Sequence, residues 1–320
     1  MKMPGPRTDA QSGTRVSPFQ TRVIWVVLGF VWGSTWLFIK VGLEDLPPFT
    51  FAGVRFAVAS VPLALFAWGR GIKLPRRKSD WALLSSTGLI SFAASYGLVF
   101  WGEQYISSGL TALLFSTYPF FSLLLAHFLL PSEPLTVRRL SGVVLGILGV
   151  AVIFADQSKA EGAMGLWGGL AVLLSAGLSP LSGILVKRSG SHLDPVMVSV
   201  CQMAIGGLPL LAAGLLLEPG VSHLAWTPRA VFSLLYLSLV GTSLAFVLWY
   251  KLIQRTEVTR AQMMPLINTL VAVFLGWLIL DETYGLKGAA GAVAVLAGLA
   301  LTLWVPPPKG STELRVPSSE

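Results

Sequence analysis

Arg55 lies in LPPFTFAGVRF (46–56), at the head of an apolar run that continues through AVASVPLALFAWGR (57–70). A guanidinium is a planar, permanently charged fork of donors that suits carboxylates and other anions. Seven residues past Pro48 is roughly 10 Å along a helix, and an arginine at such depth costs about 2.5–3.5 kcal/mol or more unless it meets a wet cavity or a partner. Two readings follow. Arg55 borders a hydrated cavity and attracts an anionic group, or it hydrogen-bonds helix-end carbonyls and reaches toward the outer interface. Lys40, one turn before Glu44, has the shorter way to water and reads first as an interfacial anchor, with ligand contact as the alternative; Lys187 reads as an anchor on the opposite side.

Aromatic and polar groups extend the set. Nine of the eleven tryptophans fall near the ends of apolar runs, where an amphipathic ring suits the membrane interface; Trp32 and Trp36 do not. They are four residues apart, on one helix face, with Thr35 beside them, which predicts a cavity-lining stripe. Gly29 and Gly33 on the other side let a neighbouring helix approach closely. Tyr96, Thr117, Tyr118, Ser179, Thr242, Ser243 and Asn268 also fall within apolar runs. Each hydroxyl can bond back to its own helix instead. Asn268, the only asparagine, needs up to four hydrogen-bond partners, from another helix or from a wet cavity. The candidate ligand-contacting residues are therefore Trp32, Thr35, Trp36, Arg55, Tyr96, Thr117, Tyr118, Ser179, Thr242, Ser243 and Asn268. Pro119 and Pro265 free backbone carbonyls and are candidate hinges, or static kinks.

The residue types needed for other chemistry do not converge. His127, His192 and His223 have no ligand spacing, so neither a metal nor a cofactor is expected, and no GxxxxGK[ST] loop is present for nucleotide hydrolysis. An intramembrane enzyme would need a serine with a base, paired aspartates or a His/Glu cluster at depth, and none is legible. Cys201 is the single cysteine, so an internal disulfide is impossible.

The elements that position these residues are long apolar segments. The chain of 320 residues is 54% hydrophobic and 12% charged, about half the charged share of a soluble domain. Ten runs, approximately 22–44, 48–69, 81–103, 107–130, 138–155, 164–187, 195–217, 229–252, 257–280 and 285–304, are long enough to cross a bilayer as helices. The first is preceded by a polar tail and is too long for a cleaved signal. The net charge of +8 is distributed by side rather than gathered into a nucleic-acid patch: with a cytoplasmic N-terminus, only Lys159, Arg229 and Lys287 fall on outer connections. That asymmetry places both termini in the cytoplasm.

The runs repeat. At an offset of 147, Lys40 meets Lys187, Leu46 meets Leu193, Pro48 meets Pro195 and Arg55 meets Gln202; at 149, Ala112 meets Ala261, Glu133 meets Glu282, Gly142 meets Gly291 and Gly149 meets Gly298. Five spans per half is an odd number, so the halves are inverted with respect to the membrane. The expected fold is an all-α polytopic membrane protein, ten transmembrane helices as two inverted five-helix repeats, 22–155 and 164–304. Tails 1–21 and 305–320 are expected to be disordered. Glycines at 142, 146 and 149, and at 288, 291 and 298, read as close-packing stripes, with self-association as the alternative, hence a monomer or a homodimer. Glu133 and Glu282 read as structural acceptors at helix ends on opposite faces.

FVWGSTWLFIKVGLEDLPPFTFAGVRF (30–56), SEPLTVRRLSGVVLGILGV (132–150) and DETYGLKGAAGAVAVLAGL (281–299) resemble the EamA family of the drug/metabolite transporter superfamily. The marks are Trp-Gly-Ser early in the first helix, a lysine near its outer end, a proline opening the second helix, Arg-Phe within it, and in each repeat a glutamate followed by a Gly-rich fifth helix. The resemblance implies a secondary transporter of small organic metabolites in the cell inner membrane, commonly an exporter of amino acids or related amphiphiles. Inverted repeats imply alternating access. A flippase of a lipid-linked or amphiphilic carrier is the alternative; an intramembrane enzyme fits less well. GFVWGSTWLFI (29–39) lacks the carboxylate with which small multidrug relatives bind a proton and a cationic drug, leaving facilitated diffusion or proton use through another group.

Overall fold

The computed structural model describes residues 18–129, 136–160, 162–218, 224–253, 264–283 and 285–303. Among them run ten helices: α1 Pro18–Leu43, α2 Pro48–Gly69, α3 Lys78–Glu103, α4 Ser108–Leu129, α5 Val137–Ala160, α6 Gly162–Ser189, α7 Pro195–Leu217, α8 over 228–253, α9 Met264–Ile279 and α10 Leu286–Leu303. Eight are long and apolar enough to cross a membrane by length and composition. Helix α9 as described is shorter, and 254–263 lie outside the described residues. Helix α1 begins at Pro18, four residues before the expected 22, and Glu133 and His223 fall outside the described residues.

Local sequence explains where helices start. Prolines at the first helical positions of α2, α7 and α8 lack an N–H that would have no partner there anyway. Asp194 caps α7 by accepting from the Val196 and Met197 amides, Thr227 caps α8 at Ala230, and Ser107 caps α4 at Leu110.

Helices α3 and α8 are not regular. Each carries a wide π-helical stretch, Leu89–Ser95 in α3 and Tyr236–Leu244 in α8. These stretches begin 147 residues apart, the offset that aligns Arg55 with Gln202, so the irregularity belongs to the repeat. In α8 the widened winding leaves carbonyls that hydroxyls five residues on take up: Thr242 donates to Leu237 O at 2.7 Å and Ser243 to Ser238 O at 3.0 Å.

Glycine seams join the halves. A Cβ at Gly142 would lie 2.6 Å from Gly298 O and one at Gly298 2.5 Å from Gly142 O; Gly149 and Gly291 stand in the same reciprocal relation at 2.7 and 2.8 Å. The stripes of α5 and α10 thus face each other within one chain. Gly29 and Gly33 meet Ile267 and Val271 of α9, and Gly53 meets Leu211 of α7. The largest buried cluster gathers Phe51, Phe56, Leu63, Phe92, Phe100, Met203 and Leu237 from α2, α3, α7 and α8, around the one arginine buried among them.

Candidate functional site

Arg55 is 4% exposed. Its guanidinium stands over the rings of Phe56, Tyr96 and Phe100 at 5.3, 5.5 and 5.7 Å, an aromatic box within cation–π range. Helix α8 supplies the polar wall: Nε and Nη2 donate to Thr242 Oγ1 at 3.4 and 3.3 Å, Ser238 donates to Arg55 O at 3.1 Å, and Ser243 to Ala59 O at 2.8 Å. The wide stretch of α8 makes this possible by pointing three hydroxyls at α2. Nη1 is buried and has no hydrogen-bond partner. A planar fork with the N–H groups of Nη1 unused and one arm loosely held at 3.3–3.4 Å can donate to an anionic oxygen.

Beside this box sits a second group that the sequence did not single out. Glu103, the last residue of α3, is fully buried, and neither carboxylate oxygen has a partner. Lys40 reaches the same place but spends its three donors on backbone carbonyls, those of Glu103 at 2.8 Å, Gln104 at 3.3 Å and Ile106 at 2.7 Å. It neutralises the carbonyl end of α3. A carboxylate closing an apolar run reads from sequence as solvated; its burial depends on distant helices packed against this end of α3, where Gly102 meets Gly168 and Val172 of α6, a tertiary event with no local signal.

The remaining predicted residues divide. Trp36 packs on Phe115 of α4 at 5.3 Å, and Phe115 stacks on Tyr118 at 6.3 Å, extending the aromatic lining from the Arg55 box into α4. Thr117 donates to Leu114 O at 2.6 Å where α4 is interrupted, at Ser116 and Thr117, just before Pro119. Trp32 lodges against Phe246 and Trp249 of α8, and Thr35 bonds its own helix at Trp32 O, 2.6 Å. Ser179 joins Ser95 and Ser175 in a hydroxyl cluster between α6 and α3, at 2.6 and 2.7 Å. With its amide oriented to donate, Asn268 bonds Gly29 O at 3.3 Å and Met264 O at 3.2 Å, across the α1–α9 seam. Pro265 stands second in the described part of α9, and Thr269 donates to its carbonyl at 2.8 Å. So Arg55, Tyr96, Thr242 and Ser243 come together, Trp36 and Tyr118 meet through Phe115, and Trp32, Thr35, Thr117, Ser179 and Asn268 serve helix contacts.

Three clasps close the end of the bundle that the charge distribution assigns to the outside. Glu218, ending α7, accepts from the amides of Phe49 (2.6 Å) and Thr50 (2.9 Å) at the start of α2. Glu282, following α9, does the same for Ser108 (2.6 Å) and Gly109 (3.0 Å) at the start of α4. Both are carboxylates at helix N-termini, each from the second repeat onto the first. Arg229 grips Asp45 with Nε at 2.6 Å and Nη2 at 2.9 Å, while Nη1 takes Glu44. The Arg229 fork and the Thr227 hydroxyl hold the Asp45 carboxyl down to about 2, from an ordinary 3.8. At the opposite end His192 meets Asp80 at 3.1 Å, and a pocket of about 290 Å³ opens between α6 and α7, reaching Ser182 and Gln202. None of the predicted ligand-contacting residues lines it.

Ten apolar helices in two five-helix halves, joined around a buried arginine, define a polytopic transporter architecture. Residues 21–155 and 166–304 each match the EamA-like transporter family, and the chain belongs to that family. A Salmonella typhimurium protein named "Probable amino-acid metabolite efflux pump" is 31% identical over 86% of this chain and 91% of its own length. Its Escherichia coli namesake is 28% identical over 88% and 94%. The Bacillus subtilis "Uncharacterized transporter YoaV" is 29% identical over 87% and 96%. A solved crystal structure shares the fold with a TM-score of 0.64 at 16% identity, covering 89% of this chain and 96% of that one.

Proposed function

We propose that the protein exports small carboxylate-bearing amphiphiles, amino acids or closely related metabolites, by alternating access between its two halves. The observation that carries this reading is the unused Nη1 of Arg55, buried among Phe56, Tyr96 and Phe100. The guanidinium takes the carboxylate and the rings take an apolar side chain. Trp36, Phe115 and Tyr118 continue that apolar surface away from the arginine. The outer clasps are the contacts to be broken when the site faces outward, and the names of the Salmonella typhimurium and Escherichia coli relatives support export of this solute class. The basic residues on the inner connections favour insertion in the cytoplasmic membrane with both termini inside.

The test is counterflow in proteoliposomes holding the purified protein, with a panel of radiolabelled amino acids and their decarboxylated amines. Exchange of the acids and not of the amines supports the reading; exchange of neither, or of the amines alone, defeats it.

A further inference from the structure

Glu103 asks for a cation that the chain does not provide. Both of its carboxylate oxygens are buried without a donor, and its residue exposure is 0%. An ionised carboxylate taken out of water without hydrogen bonds is among the most expensive arrangements a protein can hold. The charged groups acting on it are Lys40 of α1, Arg55 of α2 and Glu282 of the connection after α9. None of them makes a hydrogen bond to its oxygens: Lys40 is committed to three carbonyls, Arg55 to Thr242, and Glu282 to the start of α4. Midway along α4, which with α6 also lies against this end of α3, stands Tyr118; the outer half of α6 brings no titratable side chain, and Tyr96 and Tyr105 are the titratable neighbours within and just after α3.

A group this enclosed has no room for an ammonium or a metal ion, but a proton occupies no volume. We propose that Glu103 is a proton-exchange site of the transport cycle, protonated while the outer clasps are closed and releasing its proton to external water when they open. No covalent bond other than the O–H changes. The carboxylate left behind is then within the field of Lys40 and Arg55, and water from the opened mouth supplies its hydrogen bonds. This rests on the transporter reading, and adds to it that solute movement is tied to proton movement through one named side chain.

The deciding experiment is infrared difference spectroscopy of the full chain in nanodiscs of phosphatidylethanolamine and phosphatidylglycerol, titrated from about pH 5 to about pH 10, a range that spans displaced carboxyl titrations. The wild type is expected to show a protonated-carboxyl stretch that disappears as pH rises, Asp80→Asn at the opposite end of the bundle to retain it, and Glu103→Gln to lack it. No such band in the wild type, or the same band in Glu103→Gln, overturns the proposal. Should Glu103→Gln fail to fold, Glu103→Asp is to shift the band, and an unshifted band counts against it. In proteoliposomes an imposed gradient of one pH unit is expected to give the wild type up to about tenfold accumulation for one-to-one coupling. Glu103→Gln is expected to keep exchange at equal pH and lose the accumulation. Accumulation retained by Glu103→Gln refutes the proton site, whereas absence of all solute exchange in the wild type refutes the transporter reading and leaves the infrared result to stand alone.

Discussion

Arg55 and Gln202 stand 147 residues apart at equivalent points of the two repeats, and each reaches into the third helix of the opposite repeat: Arg55 to Thr242 of α8, Gln202 to Thr87 of α3 at 2.8 Å. The amide also donates to Ser182 at 3.2 Å and so fills its site with neutral partners. Arg55 leaves a donor over. One half thus holds a charge where the other holds a plain structural bond.

Gln202 shows that an amide can span this gap, so Arg55→Gln is expected to fold. Its unfolding midpoint, read from tryptophan fluorescence, should lie within a few degrees of the wild type. Exchange of carboxylate-bearing solutes should fall about 10- to 100-fold, the equivalent of losing a charge-assisted hydrogen bond of roughly 1.5–3 kcal/mol. Arg55→Lys should recover little of it, because a point charge does not reproduce the fork. Normal exchange by Arg55→Gln would remove the arginine from the solute's path.

The Arg229–Asp45 clasp has a definite pH window. Asp45 titrates at about 2 in the folded protein against an ordinary 3.8. Its folded value is depressed, so the stabilisation is complete above about pH 4 and is lost as pH falls toward 2. In a Cys201→Ser background, the rate at which a water-soluble thiol reagent labels Leu46→Cys should stay flat from about pH 8 to 5. Asp45→Asn should raise it across that whole range. A rate that climbs between pH 8 and 5 in the wild-type clasp contradicts the assignment.

Glu218→Ala strands the amides of Phe49 and Thr50, and the expected loss is about 1–3 kcal/mol for donors left buried without an acceptor. Glu218→Gln, which keeps one acceptor oxygen, should lose less. Thermal unfolding of both variants in detergent checks the order.

The glycine seams predict a contrast within one residue type. Gly298→Val drives a side chain into Gly142 O and the Gly146 backbone, and overpacking of this kind costs about 1–3 kcal/mol. Gly183→Ala, in α6 with nothing within 4 Å of its new methyl group, should be neutral or gain up to about 1 kcal/mol from helix propensity. Equal midpoints for the two variants would show that the seam is looser than its geometry.

Much of the scaffold was readable in advance because it rests on local rules. The spans follow from apolar length, the α2 and α7 starts from Pro48 and Pro195, and the repeat from a constant offset that also carries Arg55 onto Gln202. That Arg55 needs partners at depth could be argued from its apolar neighbours; which partners it finds, the rings of Tyr96 and Phe100 and the Thr242 hydroxyl, could not. The functional reading of Trp32 and Asn268 could not be decided that way, since a stripe facing a cavity and a stripe facing α8 or α1 have the same period. Glu103 and Glu218 were hidden for a related reason: both end a helix, where water is the default neighbour, and only the fold of a distant segment determines what covers them.

The wide stretches at 89–95 and 236–244 bear on how α3 and α8 should be mutated. Each residue of an α-helix advances the winding by about 100°, and a wide turn takes up a surplus residue without that advance, so residue numbers beyond it run about 100° out of phase with a regular wheel. A helical wheel drawn straight through 78–103 or 228–253 therefore assigns one end of the helix to the wrong side. Deleting one residue from Tyr236–Leu244 is expected to restore the regular winding with Thr227 and Arg229 still at Asp45, while turning the hydroxyls that the wide turn aims at α2 away from it, a lesion of phase rather than of charge.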